Sequence, residues 1–310
     1  MTAVRVHLGL LLVAVILAAQ TWLRDSTPTA EPGRILAWEE DTTRVSAVVY
    51  SAADRRVEVQ RRVDETGAPF YWGIEELAGV GTLVEYPVGS AGRSLVSGLA
   101  RLSVFRDLGD VSGPPASGIG DESPRLDLVL GDRTRTLLLG DSTFGGEGRY
   151  AVEDGAGRLL VLPAALVRPL EIGVEALRER QVHRFLDGDV TRVRMALGDR
   201  TIDAVQGEGG WREEGAGGPD AALDGLMQRV GQLAIGGFDV SSEARTGTLL
   251  LRVDYYGPDD DAIGFVELFR GPGTDGAAFY LRSETTRVLA RAVASLAERV
   301  EQGVEELLQP

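Results

Sequence analysis

The sequence predicts an α+β fold: an N-terminal transmembrane helix, then two tandem, mostly antiparallel sheet-plus-helix units that repeat one plan. Three observations lead there. Leu8–Ala19 is an apolar run with no polar interruption. Arg125–Leu170 reads as a β-meander handed to a helix. Asp41-Thr42-Thr43-Arg44-Val45 recurs 189 − 41 = 148 residues later as Asp189-Val190-Thr191-Arg192-Val193. A chain of 310 residues has room for two ordinary domains.

The apolar N-terminus comes first. With its flanks, Val4–Leu23 supplies the roughly 20 residues that cross a bilayer. Arg5 precedes the run, and Trp22 closes it where an indole suits the membrane interface. Leu17 stands ahead of Ala18-Ala19, so a small-x-small cleavage site is poor. An uncleaved anchor is therefore expected over a cleaved signal peptide. Arg5 and the amino terminus favour an inside N-terminus. The expected location is the bacterial inner membrane, single-pass, with the C-terminal part periplasmic or otherwise extracytoplasmic. Residues 1–24 are the anchor, 25–40 a Pro- and Thr-containing tether, 41–184 the first unit and 185–310 the second.

In the first unit, expected strands Val45–Tyr50 and Arg56–Arg62 flank a turn at Ala53-Asp54, and Trp72 follows as a core plug. Leu95, Leu99 and Leu102 predict a helix within Gly92–Phe105. Leu126–Leu130 and Thr136–Leu139 flank Gly131-Asp132, a two-residue hairpin turn with glycine first. A Gly-rich connection, Gly140–Gly148, precedes strands at Arg149–Val152 and Arg158–Leu162. Pro163 opens an expected helix, Ala164–Arg184, interrupted at Pro169. The second unit repeats the order. Val193–Leu197 and Thr201–Val205 flank Gly198-Asp199, and Trp211 follows. Pro219-Asp220 starts a helix with Leu223, Leu226, Val230 and Leu233 on one face. Strands are expected at Thr248–Tyr255, Ile263–Phe269 and Ala278–Leu281, then a helix over Thr286–Leu308 striped by Leu289, Val293, Leu296 and Val300. Strands followed by helices in each unit mark α+β rather than a parallel α/β sheet.

Composition closes off much chemistry. The net charge is −15 and no basic run stands out, so nucleic acid is not an expected partner. The chain has no Cys, no Lys and no Asn, and Arg supplies all 32 basic side chains. Thiol nucleophiles, thiolate metal sites, disulfides, Schiff-base lysines and a P-loop lysine are thereby excluded. Histidine is limited to His7 and His183, too few for a multi-His metal site.

The run LGDRTRTLLLGDSTFGGEGRYAV…GRLLVLPAAL, and the later join LRERQVHRFLDGDVTRVRM, resemble the bacterial family called domain of unknown function 4340. The resemblance covers roughly Asp41 to Phe238, and the apolar N-terminus also fits the family pattern. It implies an accessory protein acting beside ABC-type transport systems, including motility-linked ones, with transporter subunits as partners. It carries no catalytic residues.

Candidate chemical motifs have bland alternatives. Gly140-Asp141-Ser142 resembles the start of an esterase motif, but Arg180 stands where the Asp of an Asp-x-x-His ending at His183 is needed. Gly140–Gly148 joins strand to strand, with no helix start to hold a phosphate. Asp259-Asp260-Asp261 lacks the alternate-position ligands of a calcium loop. Glu75-Glu76 and Glu213-Glu214 each follow a Trp and could serve glycoside hydrolysis only if two carboxylates faced each other. His183 is expected at a helix C-terminus. No catalytic, cofactor-binding or metal-binding residue and no cofactor is assigned. The expected function is a non-enzymatic, membrane-anchored envelope protein acting as an accessory or interaction component. The alternative is an extracytoplasmic ligand-binding module, with a cleft between the units holding glycan or a lipid headgroup and lined by aromatics such as Tyr71, Tyr255 and Tyr256. A carboxylate-based hydrolase is the third reading.

Overall fold

Leu126, Leu128 and Leu130 alternate with Arg125, Asp127 and Val129, and in the computed structural model the three leucines are buried while their alternates stay partly open. This period-two pattern builds most of the molecule. The structure describes residues 34–310 except 66, 80, 82, 111–116, 239–245, 274, 275 and 310. Of these, 49% lie in strands and 22% in helices.

The first half runs β1 (Ile35–Glu39), β2 (Val45–Ser51), β3 (Arg55–Val63), β4 (Pro69–Leu77), β5 (Leu83–Pro87), α1 (Ser90–Ala100), β6 (Arg101–Val104), β7 (Arg106–Asp110), β8 (Arg125–Leu130), β9 (Arg133–Ser142), β10 (Gly148–Glu153), β11 (Arg158–Pro163), α2 (Ala164–Ile172) and α3 (Val174–Leu177). The second half runs β12 (Arg192–Leu197), β13 (Arg200–Gly207), β14 (Gly210–Glu213), α4 (Ala221–Gly231), β15 (Ile235–Gly237), β16 (Thr248–Tyr256), β17 (Ala262–Gly273), β18 (Gly276–Ser283), β19 (Ala290–Ala292) and α5 (Ala294–Leu308).

The larger sheet has the order β5-β4-β3-β2-β8-β9-β10-β11-β7, and the smaller β14-β13-β12-β16-β17-β18-β19-β15. Without the extra edge strand β5, the two orders coincide. Each half lays its first three sheet strands outward, inserts a helix and an edge strand, and then returns through four. Hairpin turns set the registers. Leu130 pairs with Arg133 across Gly131-Asp132, and Leu197 pairs with Arg200 across Gly198-Asp199. Gly131 and Gly198 have φ of 62° and 60°, the left-handed backbone that glycine adopts without strain.

The helices lay one face on the strands. Asp220 caps α4 by accepting from the amides of Ala222 and Leu223, at 2.9 and 3.2 Å. Leu223, Leu226, Met227 and Val230 form its buried face. α5 buries Ala297, Val300, Gly303 and Val304, and Gly303 lets the Leu226 and Arg229 side chains of α4 approach closely. Buried apolar residues from both halves belong to one cluster, with Val182 and Val190 between the sheets in sequence.

Several expectations are corrected. The expected transmembrane helix at 1–24, and the tether as far as residue 33, lie outside the described residues. Among the described residues no helix is long and apolar enough to cross a membrane. The longest, α5, has 15 residues, or roughly 22 Å at 1.5 Å per residue, short of the ~30 Å hydrocarbon core. The single-pass membrane architecture and the inner-membrane, periplasmic location are therefore not supported, and the α+β description gives way to a mostly antiparallel β protein.

The sequence also overstates helix. The helix expected over Gly92–Phe105 stops at Ala100, and Leu102 lies in β6, which pairs with β1. The helix expected over Ala164–Arg184 ends at Ile172, because Gly173 turns at φ 80°. The last helix begins at Ala294 rather than Thr286, because β19 is drawn into the sheet between β18 and β15. In the first and last cases a neighbouring strand offers backbone partners that a lone helical turn lacks.

Candidate functional site

A linker, residues 178–191, joins the two halves, and both hold it. On the first half, the Glu179 amide donates to the Pro87 carbonyl and the Gly89 amide to the Leu177 carbonyl, both at 2.8 Å. On the second, the Thr285 hydroxyl lies 2.6 and 2.9 Å from the carbonyls of Gln181 and Val182. Glu284 adds a carboxylate clasp. One oxygen is 3.3 Å from the Arg184 amide and 3.1 Å from His183 Nδ1, and the other accepts from the Phe265 amide at 3.1 Å.

Between the halves, beside this linker, is a cleft of about 500 Å³. Its walls come from β3, β4, the start of α1, the linker and the turn after β18. Arg61, Arg93, Arg184 and Arg287 line it, with Phe70 and Tyr71. Arg61 and Tyr71 are register partners on neighbouring strands, which brings the guanidinium beside the phenol. Burial raises the Tyr71 phenol above its ordinary pKa, and the charge of Arg61 opposes that shift.

The charge balance singles out this place. The chain carries −15 overall, yet the cleft gathers four guanidinium groups and one lining carboxylate, Glu179. Arg93 pairs with Glu179 at 3.5 Å, and Arg287 with Asp64 at 3.3 Å. Among the described residues, neither Arg61 nor Arg184 has a carboxylate at ion-pair distance. Two further hollows, of about 520 and 460 Å³, lie against α2 and share Arg34 in their walls. In the first of these Arg149 is already paired with Glu171, at 3.5 Å.

The motifs noted in the sequence lie elsewhere. Ser142 ends β9, exposed, 3.5 Å from Arg149. His183 is not at a helix end: it sits in the extended linker, bound to Glu284 and packed against Phe185 and Tyr255 at 4.6 and 4.8 Å between ring centroids. Its Nε2 is buried with no partner among the described residues. Glu75 is buried and accepts from the Val174 amide at 2.6 Å, at the start of α3, while its neighbour Glu76 is exposed. Glu213 and Glu214 are exposed on and just beyond edge strand β14. Asp260 is at a hairpin tip, paired with Arg192. Among the described residues no group of three or more His, Asp or Glu is placed to hold a metal.

Of the three tyrosines expected around an inter-unit cleft, the structure brings only Tyr71 there. Tyr255 is buried against His183 and Phe185, and Tyr256 lies under Arg192 at 3.9 Å. The four arginines were not legible as a set, since they are scattered from 61 to 287 with no shared spacing.

Comparison of the chain with family profiles, curated proteins and solved structures finds no match.

Proposed function

We propose that the protein is a binding module that holds an anionic ligand, through a carboxylate or phosphate group, in the cleft between its two sheets. The observation that carries this reading is the pair Arg61 and Arg184: two guanidinium groups without a carboxylate partner among the described residues, lining one cleft in an acidic chain. A guanidinium fork matches an oxyanion, and such charge-assisted bonds are the strong ones. Phe70 and Tyr71 add an apolar and amphipathic wall for the rest of the ligand. The volume lies within the range of small-ligand sites, roughly 300–1,000 Å³. The reading is one of contact, without bond-making: Ser142, Glu75 and His183 are not gathered at the cleft.

The test is calorimetric titration with inorganic pyrophosphate, and separately with citrate, against the wild type, Arg61→Gln and Arg184→Gln. Each charge-assisted bond removed is worth about 1.5–3 kcal/mol, so each substitution should weaken binding about tenfold or more. Absence of binding to the wild type, or affinities indifferent to both substitutions, would refute the proposal.

A further inference from the structure

Arg287 reaches the cleft from the second half, and its backbone is unusual. Its φ is 59°, a left-handed conformation uncommon for a residue with a side chain. Such a conformation persists where the surroundings over-determine it, and such positions cluster at functional sites. Here the surroundings are hydroxyls. The Ser283 amide donates to Thr286 Oγ1 at 2.9 Å, the Thr286 amide to Ser283 Oγ at 3.3 Å, and the Arg287 amide to the Ser283 carbonyl at 3.1 Å. The turn thus aims the Arg287 side chain across the junction. Its guanidinium lies 4.0 Å from the Phe70 ring centre, and Nη2 contacts Asp64 at 3.3 Å. This is a direct ion pair between the two halves.

The pair is loose. Elsewhere Arg252 meets Glu267 at 2.7 Å and Arg270 meets Glu301 at 2.8 Å, ordinary lengths for charged partners. Asp64 does not depend on it. Its other oxygen accepts from the Ala68 amide at 3.0 Å, within the β3–β4 turn. The carboxylate therefore keeps its place when Arg287 leaves. Arg287 also shares the cleft with Arg61 and Arg184, the groups that would draw an anion in.

We infer that Asp64 is an internal competitor for the cleft's ligand. An entering oxyanion takes the place of the Asp64 carboxylate on the Arg287 guanidinium, so that binding releases the ion pair between the sheets. This rests on the binding reading above and adds to it an autoinhibitory contact and a specificity-determining arginine. Phe70 keeps Arg287 oriented while its partner changes.

The test titrates inorganic pyrophosphate into the wild type, Asp64→Asn and Glu65→Gln. Glu65→Gln removes the same charge from the next, exposed position, and so controls for general electrostatics. Loss of a weak competing pair should tighten binding by about two- to fivefold in Asp64→Asn, with little change in Glu65→Gln. In an Arg287→Gln background the gain from Asp64→Asn should vanish. The chain has no cysteine, so Thr134→Cys and Glu298→Cys, both at exposed positions, permit spin-label distances between the halves. Pyrophosphate should shift or broaden that distance in the wild type, and Asp64→Asn should do so without ligand. If Asp64→Asn matches Glu65→Gln, or its gain survives in Arg287→Gln, the inference fails while the binding reading stands on Arg61 and Arg184. If no variant binds pyrophosphate the inference falls, and if citrate does not bind either the binding reading falls with it.

Discussion

Replacing Glu284 by Gln tests the clasp that holds the linker. The two carboxylate oxygens divide their work: one serves the Arg184 amide and the other the Phe265 amide, at 3.3 and 3.1 Å. A glutamine has one oxygen, so one backbone N–H would face an amide NH₂ instead. One charge-assisted bond is lost, worth about 1.5–3 kcal/mol. The side chain is 19% exposed, too little for solvent to take over the bond at no cost. Urea unfolding should show a lower midpoint at unchanged slope. The melting temperature should fall by about 4–8 °C for a loss of about 2 kcal/mol. Amide hydrogen exchange should accelerate at Arg184 or Phe265, whichever the glutamine abandons. A stability change below about 0.5 kcal/mol, with exchange at both amides unaltered, would show that the linker is held by something other than this carboxylate.

Two further outcomes follow from the packing. A Cβ on Gly73 would overlap the ring of fully buried Tyr86, so Gly73→Ala should cost about 1–3 kcal/mol by overpacking; in a Tyr86→Leu background chemical denaturation should show a smaller cost, and an equal cost would contradict the clash. Burial of the Tyr255 hydroxyl, aided by the charge of Glu284, raises its pKa above the ordinary 10.0. A phenol that holds its proton more tightly in the folded state contributes stability that is full below that ordinary value and declines as pH rises past it. Melting temperatures followed from about pH 8 to about pH 11 should therefore drop at the alkaline end, and Tyr255→Phe should flatten the drop; an identical alkaline profile in the variant would contradict this.

Local rules carried a good part of the strand layout. Gly131-Asp132 and Gly198-Asp199 are legible as turns because a two-residue hairpin needs positive φ, and glycine supplies it. Asp220 is legible as a helix cap for an equally local reason. Leu102 and Leu289 mislead because their spacing suits a helix, while strand pairing captures their segments, with β1 for the first and with β18 and the distant β15 for the second. His183 misleads likewise: its surroundings, Glu284 and Tyr255, lie far off in sequence.

By itself the sequence determined what depends on neighbours and on composition: the turns, the α4 cap, the apolar alternation of β8, and the exclusion of cysteine, lysine and multi-histidine chemistry. Only the tertiary structure decided the common strand order of the two sheets, the hold on the linker, and the meeting of Arg61, Arg184 and Arg287 beside Phe70 and Tyr71. The physical reason is range. Backbone preference acts over a few residues, whereas an isolated arginine on a strand or in a linker carries no mark of the group it will face. That is settled when sheet pairing and the linker's hydrogen bonds bring distant segments together.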